Sequence, residues 1–345
     1  MLGFGQVIHW RSELGTLRIA VFVNANAGAH NQDSRALAVG IEPLMLEMFD
    51  DSDAYVIYRT KTLAALDAAI ADALKKFRPN VVLTVGGDGT THQFLTRVIP
   101  AFQKFGVELP TFCIGAAGTM NVIPNALELT DANRFGSLER ALRLLKLGDP
   151  HLVRAHVLKV NDSYGFLYGA GLPVNALERY NAYEKRGTIR AAQVFSRIFM
   201  DEVLACTGRK PKQPSIARPF VASLTCYDDD GYFLVNSDSM TAIMAGTIES
   251  LGLGSKPMYR ARERPENFHL MAGDQGFWSY AKRLRNLVRG GKVTNLVDDP
   301  VREVKIAFAP EDDVRRYVDG DTYGNETFGN VDTISCGPLL TFLAP

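Results

Sequence analysis

The chain predicts a mostly parallel α/β domain followed by a mainly antiparallel β domain with helical insertions. Three observations carry that expectation. Buried-strand runs alternate with helix-period segments from residue 17 to about 150, the pattern of a three-layer sheet between helices. Beyond Pro150 the helices thin out and short strands joined by Asp/Gly turns take over. The 345 residues exceed what one core usually spans, which sets two domains as the prior. The expected domains are 17–150 and 151–345, the second interrupted by a helical insertion at 178–206.

The elements follow in order. LRIAVFVN reads as the first buried strand, and 31–49 carries Leu37, Ile41, Leu44, Met45 and Met48 at helical spacing. AYVIYRT is a second strand. Residues 63–77 repeat Leu66, Ile70, Leu74 and Phe77 behind Thr62, a suitable N-cap. VVLTV and PTFCIG are the third and fourth strands, and Ser137 is placed as the cap of the helix LERALRLLKL. In the second half, HLVRAHVLKVNDSYGFLYGAG, RPFVASLTCYDDDGYFLVNS and REVKIAFAPE read as strands. A Lys/Pro-rich link, GRKPKQP, follows the helical insertion, and another helix is expected over 277–288.

Composition narrows the function classes. Hydrophobic residues make up 46% and charged residues 22%, as in soluble globular proteins. Lys plus Arg equals Asp plus Glu, 38 each, so no global positive field attracts nucleic acid. Cys113, Cys206, Cys226 and Cys336 are far apart and form no CxxC pair, which disfavours a disulfide framework or zinc site and fits a reducing cytoplasm. The N-terminal residues lack the pattern of a signal peptide, and no apolar run approaches the roughly 18 residues of a membrane span.

Chemistry concentrates at the carboxyl ends of the strands, where ligands bind in such sheets. The third strand runs into Gly86-Gly87-Asp88-Gly89-Thr90 and then a helix. Glycines there allow positive φ and close approach of a ligand, and the helix start offers N–H groups to an anion. Asp88 in a phosphate-friendly turn calls for a cation such as Mg²⁺ between carboxylate and phosphate. The expected ligand is therefore a metal-bound polyphosphate. The first strand ends in Asn24-Ala25-Asn26-Ala27-Gly28, with side chains suited to a base or ribose. The fourth ends in Gly118-Thr119-Met120-Asn121, a second small-residue loop that would make the phosphate cleft two-sided.

GGDGT followed about 30 residues later by GTMN resembles the diacylglycerol kinase catalytic domain family, which includes bacterial diacylglycerol and other lipid kinases, sphingosine kinases and ceramide kinases. NANAG resembles its NPxSG loop. Thr60 or Thr62 falls where the family has a nucleotide-contacting Thr, and Asp67-Ala68 favours Thr62. Tyr317-Val318-Asp319-Gly320-Asp321 resembles its DGE motif. The resemblance implies an α/β nucleotide domain, a β-sandwich-like lipid domain and an active site between them. It implies phosphoryl transfer from ATP, with Mg²⁺, to a hydroxyl of diacylglycerol or a related lipid. Gly86, Gly87, Gly89, Thr90 and Thr119 would contact the phosphates. Asp88 would lie near the metal, as would Asp319, and the general base would be Asp321 or Asp88. The implied protein is cytoplasmic and peripheral to the membrane, meets a lipid substrate, binds no nucleic acid and is compatible with a homodimer.

Departures from the family leave alternatives open. DGE is DGD here. His156 in AHVLK stands where the family has an acid, GTxNDFAR is GTMNVIPN, and Arg264-Pro265-Glu266-Asn267-Phe268 replaces a paired-Asp turn. Asp228-Asp229-Asp230-Gly231 mimics that turn but reads as a hairpin. His92 has no second His or Cys at metal spacing. The basic residues Lys282, Arg283, Arg285, Arg289 and Lys292 suit either anionic lipid heads or a solvated helix face. The alternatives are a soluble-metabolite kinase of the NAD kinase or phosphofructokinase type, which shares GGDG, and a nucleotide-binding protein with lost or altered catalysis.

Overall fold

The computed structural model describes residues 16–26, 32–49, 54–118, 121–182, 188–206, 211–251 and 255–345. It divides into two units, the described residues up to Ala155 with Leu340–Pro345, and His156–Leu339. The boundary thus falls a little beyond 150. The C-terminal stretch, expected in the second domain, belongs to the first unit because Phe342 pairs in parallel with Phe112 and is fully buried there.

In the first unit, β1 (Ile19–Asn24), α1 (Gln32–Met48), β2 (Tyr55–Thr60), α2 (Leu63–Asp72), β3 (Val81–Gly86), α3 (Asp88–Lys104), β4 (Thr111–Ala116), α4 (Val122–Ala126) and α5 (Arg134–Leu147) follow one another. The strands are parallel in the order β2-β1-β3-β4. Ile19, Val21 and Val23 of β1 and Val81, Leu83 and Val85 of β3 point to one face, against Leu37, Ile41 and Met45 of α1 and Leu138, Leu142 and Leu145 of α5. Phe22 points to the other face, 5.1 Å from the ring of Phe94 on α3. Period-2 strands between period-3.6 helices make the three layers that the sequence predicts. Each such side chain contributes about 1.5–3 kcal/mol by leaving water.

Details differ from the sequence reading. Thr62 does cap α2, its hydroxyl accepting from Ala65 N–H at 3.2 Å. Ser137 is not the cap of α5. Asn133 is, accepting from Gly136 N–H at 3.0 Å, while Ser137 donates to the Asn133 carbonyl one turn inside. The short α4 was not foreseen. It has no amphipathic period, and it forms because a distant side chain caps it, as shown below.

The second unit contains β5 (His151–Val160, entering from the first unit), β6 (Ser163–Gly165), β7 (Leu167–Gly171), α6 (Leu172–Asn181), α7 (Thr188–Cys206), β8 (Phe220–Tyr227), β9 (Tyr232–Met240), β10 (Ala242–Gly246) and β11 (Phe268–Gly273). Then come α8 (Phe277–Lys282), α9 (Leu284–Arg289), β12 (Val297–Val301), β13 (Glu303–Phe308), β14 (Arg316–Val318), β15 (Asp321–Tyr323), α10 (Asn325–Phe328) and β16 (Val331–Ala344), which ends in the first unit. One antiparallel sheet runs β16-β13-β8-β9, with β5 beside β16 and β6 beside β5. A second runs β12-β11-β10-β7-β14-β15. Alternate residues of both, such as Ala222, Leu224, Cys226, Val304 and Ile306 against Tyr168, Ala170, Ile243, Ala245 and Leu270, share one core. That is a β-sandwich. The helical insertion begins earlier than 178, at Leu172. The helix expected over 277–288 is two short helices parted by Arg283, whose guanidinium donates to the Gln275 side chain and the Val293 carbonyl. Asp228–Gly231 is a hairpin turn, its Asp228 carboxylate accepting the N–H groups of Asp230 and Gly231 at 2.9 Å.

Candidate active site

In the first unit the loops at the ends of β1, β2, β3 and β4 meet. Asn24 donates its amide to the Thr90 hydroxyl at 2.9 Å and accepts the Asn26 N–H. Asn26 donates to the Lys61 carbonyl, and Ala25 N–H bonds the buried Thr60 at its carbonyl. The end of β1 is thus tied both to the start of α3 and to the end of β2.

Gly86 and Gly87 of GGDGT are required for space and not for φ. None of Gly86, Gly87 and Gly89 adopts positive φ, which corrects the sequence expectation. A Cβ on Gly86 would lie 2.4 Å from Thr90, and one on Gly118 would lie 2.7 Å from the Gly87 Cα. The two small-residue loops press backbone against backbone, at a distance that side chains would forbid. Asn121, buried and at φ 49°, holds the second loop. Its Oδ1 accepts Gly118 N–H at 2.7 Å. Arg134, which sequence reasoning missed, donates to the Gly118 carbonyl at 2.9 Å and brings a cation to this loop. It lies 16 residues from Gly118 with no motif to mark it. Gly28 and Thr119 lie outside the described residues.

Asp88 has a structural role that its position does not suggest. Its two oxygens accept the N–H groups of Val122 and Ile123 at 3.0 and 3.1 Å, so it caps the start of α4 across the loop. Burial pushes its carboxyl up, against the two N–H bonds, which pull it down.

In the second unit, Asp319 and Gly320 form the two-residue turn between β14 and β15, with Val318 paired to Asp321. Both turn residues have positive φ, 47° and 114°, as a primed hairpin turn requires. Asp319 is buried and accepts Phe166 and Leu167 N–H at 2.8 Å each, and a Cβ on Gly165 would collide with its carboxylate at 2.6 Å. Asp321 is the half-exposed first residue of β15. The adjoining strand is anchored by Arg316, fully buried, which pairs with Asp332 at 3.2 Å and donates to the carbonyls of Val314 and Gly329 and to Asn325. Tyr168 also donates to Asp332, at 2.6 Å. His156 donates its Nδ1–H to the Gly337 carbonyl at 3.0 Å, and His92 is packed inside the first unit on α3.

The donor set does not fit a magnesium ion caged by protein. Each oxygen of Asp88 and of Asp319 already accepts a backbone N–H, and among the described residues no three His, Cys, Asp or Glu gather to hold a metal.

Comparison with known proteins fits this geometry. The model of the diacylglycerol kinase catalytic domain family matches residues 18–155, the segment that carries all the first-unit loops. A solved structure described as a diacylglycerol kinase from Bacillus anthracis str. Sterne is 16% identical, covering 95% of this chain and 97% of its own at a TM-score of 0.61. Two further structures from that strain carry the description provisionally, at 17% and 18% identity, with the same coverage and TM-scores of 0.62. At this identity they show a shared fold across both units. No curated protein sequence matches the chain.

Proposed function

We propose that the protein is an ATP-dependent lipid kinase that phosphorylates a hydroxyl of diacylglycerol or a related lipid. The observation that supports it most is the family match over 18–155 together with the backbone contact of Gly87 with Gly118, which leaves peptide groups and no side chains where the two loops meet. Peptide N–H groups at Gly86–Thr90 and the start of α3 favour the ATP phosphates electrostatically. Arg134 adds a cation beside Gly118, and Asn24, Asn26, Thr60, Thr62 and Asn121 shape the surrounding loops. Gly28 and Thr119 join this set from the motif alone. Asp321 takes the proton of the lipid hydroxyl as that oxygen bonds the γ-phosphorus and the bond to the ADP oxygen breaks. Magnesium, which the family implies, fits as a ligand of the triphosphate and water and not of Asp88 and Asp319. Such a protein works in the cytoplasm at the membrane edge.

The test is incubation with labelled ATP and a panel of dispersed lipids. Transfer of label to diacylglycerol or a related lipid is expected, and it is lost in Asp321→Asn. Label on none of the lipids overturns the reading. One observation favours a second reading, a nucleotide-binding protein without transfer: both proposed metal carboxylates already accept two backbone N–H bonds each. Thermal stabilisation by ATP with no turnover on any acceptor would select it.

A further inference from the structure

The formal net charge of the chain is zero, yet residues 275–297 hold Lys282, Arg283, Arg285, Arg289 and Lys292 and not one Asp or Glu. This basic stretch forms α8 and α9. Arg283 is committed to Gln275 and Val293 and fixes the junction of the two helices. Lys282, Arg285 and Arg289 point to solvent and form no ion pair among the described residues.

Aromatic side chains gather on the same surface. The ring of Phe199 on α7 lies 6.4 Å from Phe277 and 5.3 Å from Trp278, and those two lie 5.5 Å apart. This cluster is not core. Phe199 is 49% exposed, Met200 beside it 60%, and Leu284 and Val288, one turn apart on α9, 57% and 47%. Large apolar side chains that meet in water, flanked by unpaired cations, mark a surface made for a partner.

We propose that this face of α7, α8 and α9 docks on an anionic lipid bilayer. Trp and Phe favour the membrane–water interface, and nearby Lys and Arg favour the negative surface potential of acidic lipids. Charge decides against a second copy of the chain. A two-fold contact places the same patch on both sides and would set Lys282, Arg285 and Arg289 against their own copies. No helix among the described residues is long and apolar enough to cross a membrane, so the contact is lateral. The proposal extends the lipid-kinase reading, since a lipid acceptor is met at a bilayer, but vesicle binding is measured without turnover. Each can therefore fail alone.

The test is co-sedimentation of the full chain with vesicles of phosphatidylcholine alone or mixed with phosphatidylglycerol, at low and high salt. The chain should partition onto the mixed vesicles, weakly onto the neutral ones, and lose binding as salt rises. Arg285→Glu with Arg289→Glu should weaken partitioning at least roughly tenfold. Phe199→Ser with Trp278→Ser should weaken it too while leaving its salt dependence. Phe199, Arg285 and Arg289 are exposed and Trp278 is half-buried, none of them in the core, and circular dichroism melts of both variants should match the parent. No binding to acidic vesicles, or binding unchanged in both variants, overturns the proposal. So does a dimer in light scattering that the aromatic variant converts to monomer.

Discussion

Asp88 and Asp319 do the same thing in different units. Each carboxylate bridges two consecutive backbone N–H groups, Val122 and Ile123 in one case, Phe166 and Leu167 in the other. Each sits in a Gly-containing turn that resembles a kinase motif. They differ in setting. Asp88 reaches 34 residues ahead to start a short helix beside a loop that water touches. Asp319 reaches back across 153 residues into the sandwich core, next to the buried Arg316–Asp332 pair. A motif acid therefore need not touch the ligand. It can set the backbone that does, and how much the fold depends on it is set by burial.

That comparison can be broken, most forcefully at Arg316. Arg316→Ala leaves Asp332 buried with Tyr168 but without its cation, and should cost about 3–5 kcal/mol in urea denaturation. A loss under 1 kcal/mol would mean that the core around the DGD turn is looser than its burial suggests. Next, Asp319→Ala strands two buried N–H groups and should cost about 2–4 kcal/mol, at about 1–2 for each unsatisfied group. In the first unit, Gly118→Ala forces the two loops apart and should cost about 1–3 kcal/mol. It should also abolish thermal stabilisation by ATP, whereas Asp319→Ala should leave that stabilisation in place.

Asp88→Asn should have the smallest effect at neutral pH, below about 1 kcal/mol. Burial raises the carboxyl of Asp88 above its unfolded value, so the folded state binds the extra proton. The contribution of Asp88 to stability then falls as pH rises from the ordinary carboxylate value, about 3.9, through the raised one, and is flat above it. The neutral amide lacks that slope. Denaturation of both proteins across acidic pH measures the difference. A wild type that gains stability over the variant as pH rises through that window would show that the N–H bonds outweigh burial.

Much of the first unit was legible because its signals are local. Strand and helix periods, GGDGT and GTMN each lie within a few residues, and parallel β3 and β4 bring the two loops together without further information. The positive φ read for the glycines does not occur, and the structure adds another need, the contact of Gly87 with Gly118, which only adjacent strands create. In the second unit, β10, β11, β12, β14 and β15 escaped because short strands carry little periodicity, Asp298-Asp299-Pro300 breaks the apolar pattern of β12, and Gly337-Pro338 interrupts the long β16. The buried Arg316 has no local mark, since a charge in the core is stabilised only by partners the fold supplies.

By itself the sequence determined the α/β-then-β order, the loops at the strand ends and the resemblance of the first half to a catalytic family. These depend on neighbours a few residues apart. Tertiary structure decided which way the acids face, because the N–H groups that Asp88 and Asp319 accept come from segments far along the chain. It also decided that the chain ends in the first unit, since only there does β4 offer Phe342 a partner strand and a buried place. And it brought Phe199 to Phe277 and Trp278, about 80 residues further along the chain, in one partly exposed cluster on the basic helices.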